Sequence, residues 1–166
     1  VKVKYRMCGI AGYLSFYEKA NAEILQRMLS AIEHRGPDGL SGFVDKQIAL
    51  GNARLSIVDL EGGTQPAVSE NRDISVVFNG EIYNYAEERN LLIQKGYVFS
   101  TNSEVETLLA LYIEFGPNFV LRLNGQFAIA IWDGRNETIH LYRDRLGIRP
   151  LFWHRGARGF IFASEI

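Results

Sequence analysis

Only one cysteine, Cys8, occurs in the 166 residues. No internal disulfide can form and no cysteine-rich zinc site can be built. Histidine is nearly as sparse: His34, His140 and His154 lie far apart along the chain, an arrangement that argues against any metal site. No apolar run approaches the roughly 18 residues that span a bilayer, and the opening "VKVKYR" lacks the apolar centre of a secretion signal. Charge of one sign is also missing. The 18 basic and 19 acidic residues leave a net charge of −1, so no global field draws the chain to nucleic acid or an anionic membrane. A cytoplasmic protein is expected. Repeats, low-complexity tracts and linkers are absent too, so the chain reads as one domain with enough apolar residues, 47%, for one sizeable core.

What is present alternates between two periods. "GIAGYLSF" has the look of a buried first strand, and "AEILQRMLSAIEH" sets Ile24, Leu25, Met28, Leu29 and Ile32 on one helical stripe. Short β-branched runs fill "GFVDKQIALGNARLSIVDL" and "DISVVFNGEIYNY". Asn84 with Glu87, and Ser103 with Glu106, resemble caps of two middle helices, the second ended by Gly116 and Pro117. The tail returns to strands in "GQFAIAIWD", "ETIHLYRD", "PLFWH" and "FIFAS". Strands, helices, then strands again predict an α+β fold, with helices outside mainly antiparallel sheets.

Several short stretches carry chemistry as well as a plainer structural reading. Cys8 reads by default as a small buried hydrophobe. If the chain were to begin at Cys8, however, its own α-amine would place a base and a thiol on one residue. "HRGPDG" (34–39) is a set of turn formers that serves as scaffold. Arg54 stands at the edge of an apolar strand and needs an anionic partner, either a structural carboxylate or a substrate carboxylate framed by backbone groups from Leu55 through Ser56 and Ile57 to Val58. Asn79-Gly80 reads first as a hairpin turn. The same pair can supply a side-chain amide and a backbone N–H to an oxyanion, with Glu81 following as an acceptor for a cation. Glu104 and Glu106 stand where a helix start favours carboxylates, and Glu104 could receive an ammonium group. "YRDRLGIRPLFW" (142–153) is read as structural.

In order, "MCGIAGY", "HRGPDG", "RLSIVD", "QP", "NGEIYN", "TNSEVETLL" and "RDRLGIRPLF" resemble the glutaminase domain of class II glutamine amidotransferases, nearest to that of glutamine-hydrolysing asparagine synthetases. The resemblance covers Met7 to Ile166. It implies the N-terminal nucleophile hydrolase fold, a four-layer αββα sandwich of two mainly antiparallel sheets. It implies Cys8 as the nucleophile with its α-amine as base, and Asn79 and Gly80 as the oxyanion hole. Arg54 would bind the α-carboxylate of L-glutamine. Backbone groups of Leu55, Ile57 and Val58 would line the pocket, and Glu81 with Glu104 would hold the α-amine. No metal and no cofactor are implied for this domain, with ATP and Mg assigned to a synthetase module that receives the ammonia, as a fused domain or a separate subunit; a homodimer is compatible. Residues 1–7 then form an extra segment (a propeptide, an expression remnant or a misassigned start) ahead of the domain at 8–166. Two alternatives stay open: an amidotransferase with another acceptor, and a catalytically silent docking or regulatory domain.

Overall fold

The computed structural model describes residues 7–55 and 64–166. Ser56, Ile57 and Val58, expected to line the pocket, and the first six residues of the extra segment lie outside the described residues.

Five strands form the first sheet: β1 (Gly9–Ser15), β2 (Gly39–Asp45), β3 (Ile48–Arg54), β8 (Phe152–Arg155) and β9 (Gly159–Ala163). They lie in the order β2-β3-β1-β9-β8. The second sheet runs β4-β5-β6-β7 and is built from β4 (Ala67–Val68), β5 (Ile74–Ile82), β6 (Gly125–Asp133) and β7 (Thr138–Arg143). Every pairing in both sheets is antiparallel.

Strand periodicity decides what each face meets. On one face of the first sheet, Ala11, Ala49 and Ala53 present small side chains that Leu25, Leu29 and Ile32 cover from the helix α1 (Ala22–Ala31) and its C-cap. That helix starts at Asn21, whose side chain accepts from the Glu23 N–H at 2.7 Å. The opposite face carries Ile10, Ile48, Leu50 and Phe162, which meet Val77, Ala128, Ala130 and Trp132 of the second sheet. Residues one step out of phase, Val76, Phe78, Ile129 and Ile131, face the other way, against helices α2 (Tyr85–Gln94) and α3 (Glu104–Phe115). The result is the αββα sandwich, with a sheet-to-sheet core and a helix-to-sheet core on each side.

Three local expectations are refined. Asn84 does precede α2, but no side-chain cap bond forms there. Its amide instead donates to the Arg122 carbonyl at 3.0 Å and accepts from the Asn124 N–H at 2.9 Å, holding the exit of a 3-10 helix at Gly116–Arg122 that the helical periodicity did not announce. Ser103 caps α3 as expected, accepting from Glu106 N–H at 3.3 Å. The Glu106 carboxylate closes on Ser100 and Thr101 N–H groups instead of the Ser103 N–H. Asn79-Gly80 makes no turn: both lie inside β5, opposite Ala128 and Phe127 of β6. Apolar neighbours buried on both faces of β5 outweigh the local turn preference. The glycine is needed for another reason, since a Cβ at Gly80 would lie 2.1 Å from the Gln126 carbonyl oxygen.

Candidate functional site

Cys8 precedes β1 by one residue, where the first sheet meets the end of β3. Its Sγ accepts from the Leu55 N–H at 3.3 Å and lies 3.6 Å from the Leu55 carbonyl oxygen. The thiol is partly buried. Its own carbonyl accepts from Arg35 Nε at 3.2 Å, and Arg35 Nη1 reaches Glu165 at 2.7 Å. Arg35 itself is buried, which makes "HRGPDG" a direct support of the Cys8 backbone. Gly36 beside it is required by close approach, because a Cβ there would stand 2.3 Å from the Ala53 carbonyl oxygen. From the other end of the chain, Ser164 Oγ accepts from Ile10 N–H and its N–H donates to the Ile10 carbonyl. The start of β1 is therefore held from both sides. In this chain residue 7 precedes Cys8, so the Cys8 nitrogen is a peptide nitrogen, and Arg149 Nη1 contacts the Met7 sulfur.

Across the sandwich, β5 contacts both β1 and β3. Alternation along β5 turns Asn79 inward with Val77. Asn79 is 2% exposed, and its Nδ2 has no hydrogen-bond partner among the described residues. A buried amide donor left unpaired is costly, so Asn79 Nδ2 calls for a partner.

The backbone beside it is arranged to match. Alternate N–H groups of a strand point to one edge. On the edge of β5 away from β6, Ile74 N–H donates to Ser69 Oγ at 2.9 Å, Phe78 N–H to Gln65 Oε1 at 2.6 Å and Ile82 N–H to Glu104 Oε1 at 2.6 Å. Val76 faces β4 on the same edge, opposite Ala67. Gly80 belongs to this series and sits between two capped positions. Its neighbour in β6, Phe127, sends its N–H and carbonyl to Asp144 instead. Asn79 and Gly80 thus present two adjacent donors, one from a side chain and one from the strand edge.

Arg54 ends β3, next to Leu55, and its carbonyl accepts from Asp38 N–H at 3.0 Å. Glu81 is exposed. Burial raises the Glu104 carboxyl above its usual range, the Ile82 N–H bond pulls it down, and the charge of Glu81 adds to the rise. The two carboxylates therefore feel each other. A groove of about 730 Å³ beside β4 and α3, lined among others by Pro66, Val68, Phe99, Thr101 and Leu109, includes none of Cys8, Arg54, Asn79 or Gly80. Among the described residues no cluster of His, Cys, Asp or Glu is suited to a metal ion, and no helix is long and apolar enough to cross a membrane.

The profile of the glutamine amidotransferase domain family matches residues 7–166. The chain belongs to this family. As an amidotransferase domain it is 42% identical to "Asparagine synthetase [glutamine-hydrolyzing] 2" of Bacillus subtilis (strain 168) over 96% of its own length and 22% of that protein's. It is 35% identical to "Amidase chyE" of Penicillium rubens over 96% and 26%, respectively. The domain thus spans about a quarter of these curated relatives. Its fold matches a solved glutamine phosphoribosylpyrophosphate amidotransferase from B. subtilis with a TM-score of 0.75, at 22% identity, over 95% of this chain and 42% of that one.

Sequence reasoning named Cys8, Leu55, Arg54, Asn79 and Gly80, and the amidotransferase fold sets Cys8 on Leu55, with Arg54 adjoining. It passed over Gln65, Glu165 and Ser164. "QP" was a usable signal for the first, whereas Glu165 and Ser164 gain their roles only through contacts over more than 120 residues of chain.

Proposed function

We propose that this amidotransferase domain hydrolyses L-glutamine to L-glutamate and ammonia in the form that begins at Cys8. The freed α-amine takes the thiol proton, and sulfur attacks the side-chain amide carbon. The C–S bond forms as the carbonyl becomes an oxyanion, received by Asn79 Nδ2 and Gly80 N–H. Collapse breaks the C–N bond, and nitrogen leaves as ammonia with the proton returned by the amine. Water then attacks the thioester, releasing glutamate and restoring the thiol. Arg54 binds the substrate α-carboxylate, while Glu81 and the free Glu104 oxygen receive its α-ammonium. Leu55 lines the pocket beside Cys8.

The single observation that carries this reading is the buried Asn79 amide, whose Nδ2 has no partner among the described residues, beside the Gly80 position of the strand edge, in a sheet packed on the one that bears Cys8. The names of the relatives favour asparagine synthesis from aspartate as the use of the ammonia, with ATP and Mg engaged in a synthetase module. A reactive lone thiol suits the reducing cytoplasm.

Glutamate release should appear when Cys8 is made the first residue, and vanish in Cys8→Ala. An electrophilic glutamine analogue should label Cys8 only in the Cys8-first form. No release and no labelling in that form would make the domain a silent docking module instead.

A further inference from the structure

Gln65 is 9% exposed and stands between the two sheets, doing two things at once. Its side-chain oxygen accepts from Phe78 N–H at 2.6 Å, and its main-chain carbonyl accepts from Ser41 Oγ on β2. Ser41 Oγ also lies 2.8 Å from the Asn52 side-chain amide on β3. A hydroxyl has one proton to donate. If that proton goes to the Gln65 carbonyl, Asn52 must offer its NH2 to Ser41, which also pairs an otherwise orphaned buried Asn52 nitrogen. The backbone of Gln65 is then tied to the first sheet through β2 and β3, and its side chain to β5 of the second.

β4 is only two residues long and pairs with β5 at Ser75 and Val76. Beyond it the edge of β5 has no strand partner among the described residues. Phe78 N–H would be a bare donor two residues before Gly80, and the edge would be free to bend. The Gln65 amide oxygen takes the place that the next residue of a longer β4 would fill. Glu104 does the same for Ile82 on the far side of Gly80.

We propose that Gln65 is a positioning residue of the oxyanion hole. By capping Phe78 N–H it leaves Gly80 N–H as the donor of that edge, and by tying β5 to β2 it sets the distance from the Asn79 and Gly80 donors to the Cys8 side of the sandwich. This rests on the glutaminase reading. Its consequence is specific: the hole matters most when charge develops on oxygen, so loss of Gln65 lowers turnover and spares ground-state binding of glutamine.

The test compares Gln65→Met, which keeps size and removes the acceptor, and Gln65→Glu, which keeps an oxygen there, in the Cys8-first chain. Gln65→Met should lower kcat for glutamate release by about 100-fold, the scale of a lost or misplaced oxyanion donor, with KM within about twofold. Gln65→Glu should stay within about tenfold of the parent kcat, since one tenfold step corresponds to a weakened bond and not a missing one. Alkylation of Cys8 by iodoacetamide, which needs no oxyanion hole, should proceed at the parent rate in both. Amide hydrogen exchange gives a readout that does not depend on activity. Phe78 N–H should be protected in the parent chain and exposed in Gln65→Met, while Val77 and Asn79, which face β6, keep their protection. An unchanged kcat, a rise confined to KM, or Phe78 exchange indifferent to the substitution would overturn the proposal. A parent chain that releases no glutamate would overturn the glutaminase reading, and the exchange experiment would still decide whether Gln65 holds this edge.

Discussion

The Cys8 sulfur rests on both backbone polar groups of Leu55, 3.3 Å from its nitrogen and 3.6 Å from its carbonyl oxygen. The residue after the β3 terminus thereby holds the thiol in place. The Leu55 N–H donates to the sulfur, and the thiol can donate to the Leu55 carbonyl. Cys8→Ser should preserve this seat and the unfolding midpoint, yet release no glutamate on the time scale of the parent. A shifted midpoint in thermal unfolding would mean that the sulfur packs more than it reacts.

Asn79→Ala should lower kcat for glutamate release by about 100- to 1000-fold, as for other lost oxyanion donors. Its stability should hold or improve, because the substitution removes a buried donor that has no partner among the described residues. Parallel kinetics and urea unfolding check the two halves of this expectation.

Glu104 predicts a pH dependence of binding. Its carboxyl titrates above the usual range because of burial and the neighbouring Glu81 charge. Its negative charge is therefore lost earlier as pH falls than that of an ordinary glutamate. KM for glutamine should rise as pH drops through that raised value. In Glu104→Gln the amide oxygen can still cap Ile82 N–H, so kcat should persist while KM is high at all pH values. A KM in Glu104→Gln equal to that of the parent would remove Glu104 from the ammonium site.

Arg35, followed by His34, holds the Glu165 carboxyl below its usual range against the opposing effect of burial. A depressed carboxyl contributes stability above its unfolded value and loses it as pH falls through its folded value. The seam between the Cys8 end of β1 and the C-terminal side of β9 should thus loosen in acid. Glu165→Gln should flatten the acid limb of the stability-versus-pH curve, measured by urea unfolding at stepped pH.

Asp144 organises the loop after β7. Burial would raise its carboxyl, but N–H groups of Arg149, Ile148, Phe127 and Leu146 outweigh it and hold the carboxyl low. Asp144→Asn turns an NH2 toward these donors. It should cost at least about 3 kcal/mol, the loss of two hydrogen bonds to a charged acceptor, read from the urea midpoint at neutral pH.

How much of this was legible beforehand follows from the range of each interaction. Helical spacing in 22–31 and 104–115, the Ser103 cap, and the period-two strands were readable because each rests on neighbours within a few residues. The proposed roles of Cys8, Asn79 and Gly80 came instead from the resemblance of ordered motifs, since the local reading of each was structural. The turn expected at Asn79-Gly80 failed because burial on both faces of β5 outweighs the preference of two residues. Arg35 found its carboxylate in Glu165, 130 residues away, which no spacing rule reaches. By itself the sequence determined most of the elements and their buried faces, since these depend on periodicity, and it supplied the candidate reactive groups. Only the tertiary structure decided which side chains cap the Ile74, Phe78 and Ile82 N–H groups of β5, because a strand edge is satisfied by whatever the rest of the fold brings to it.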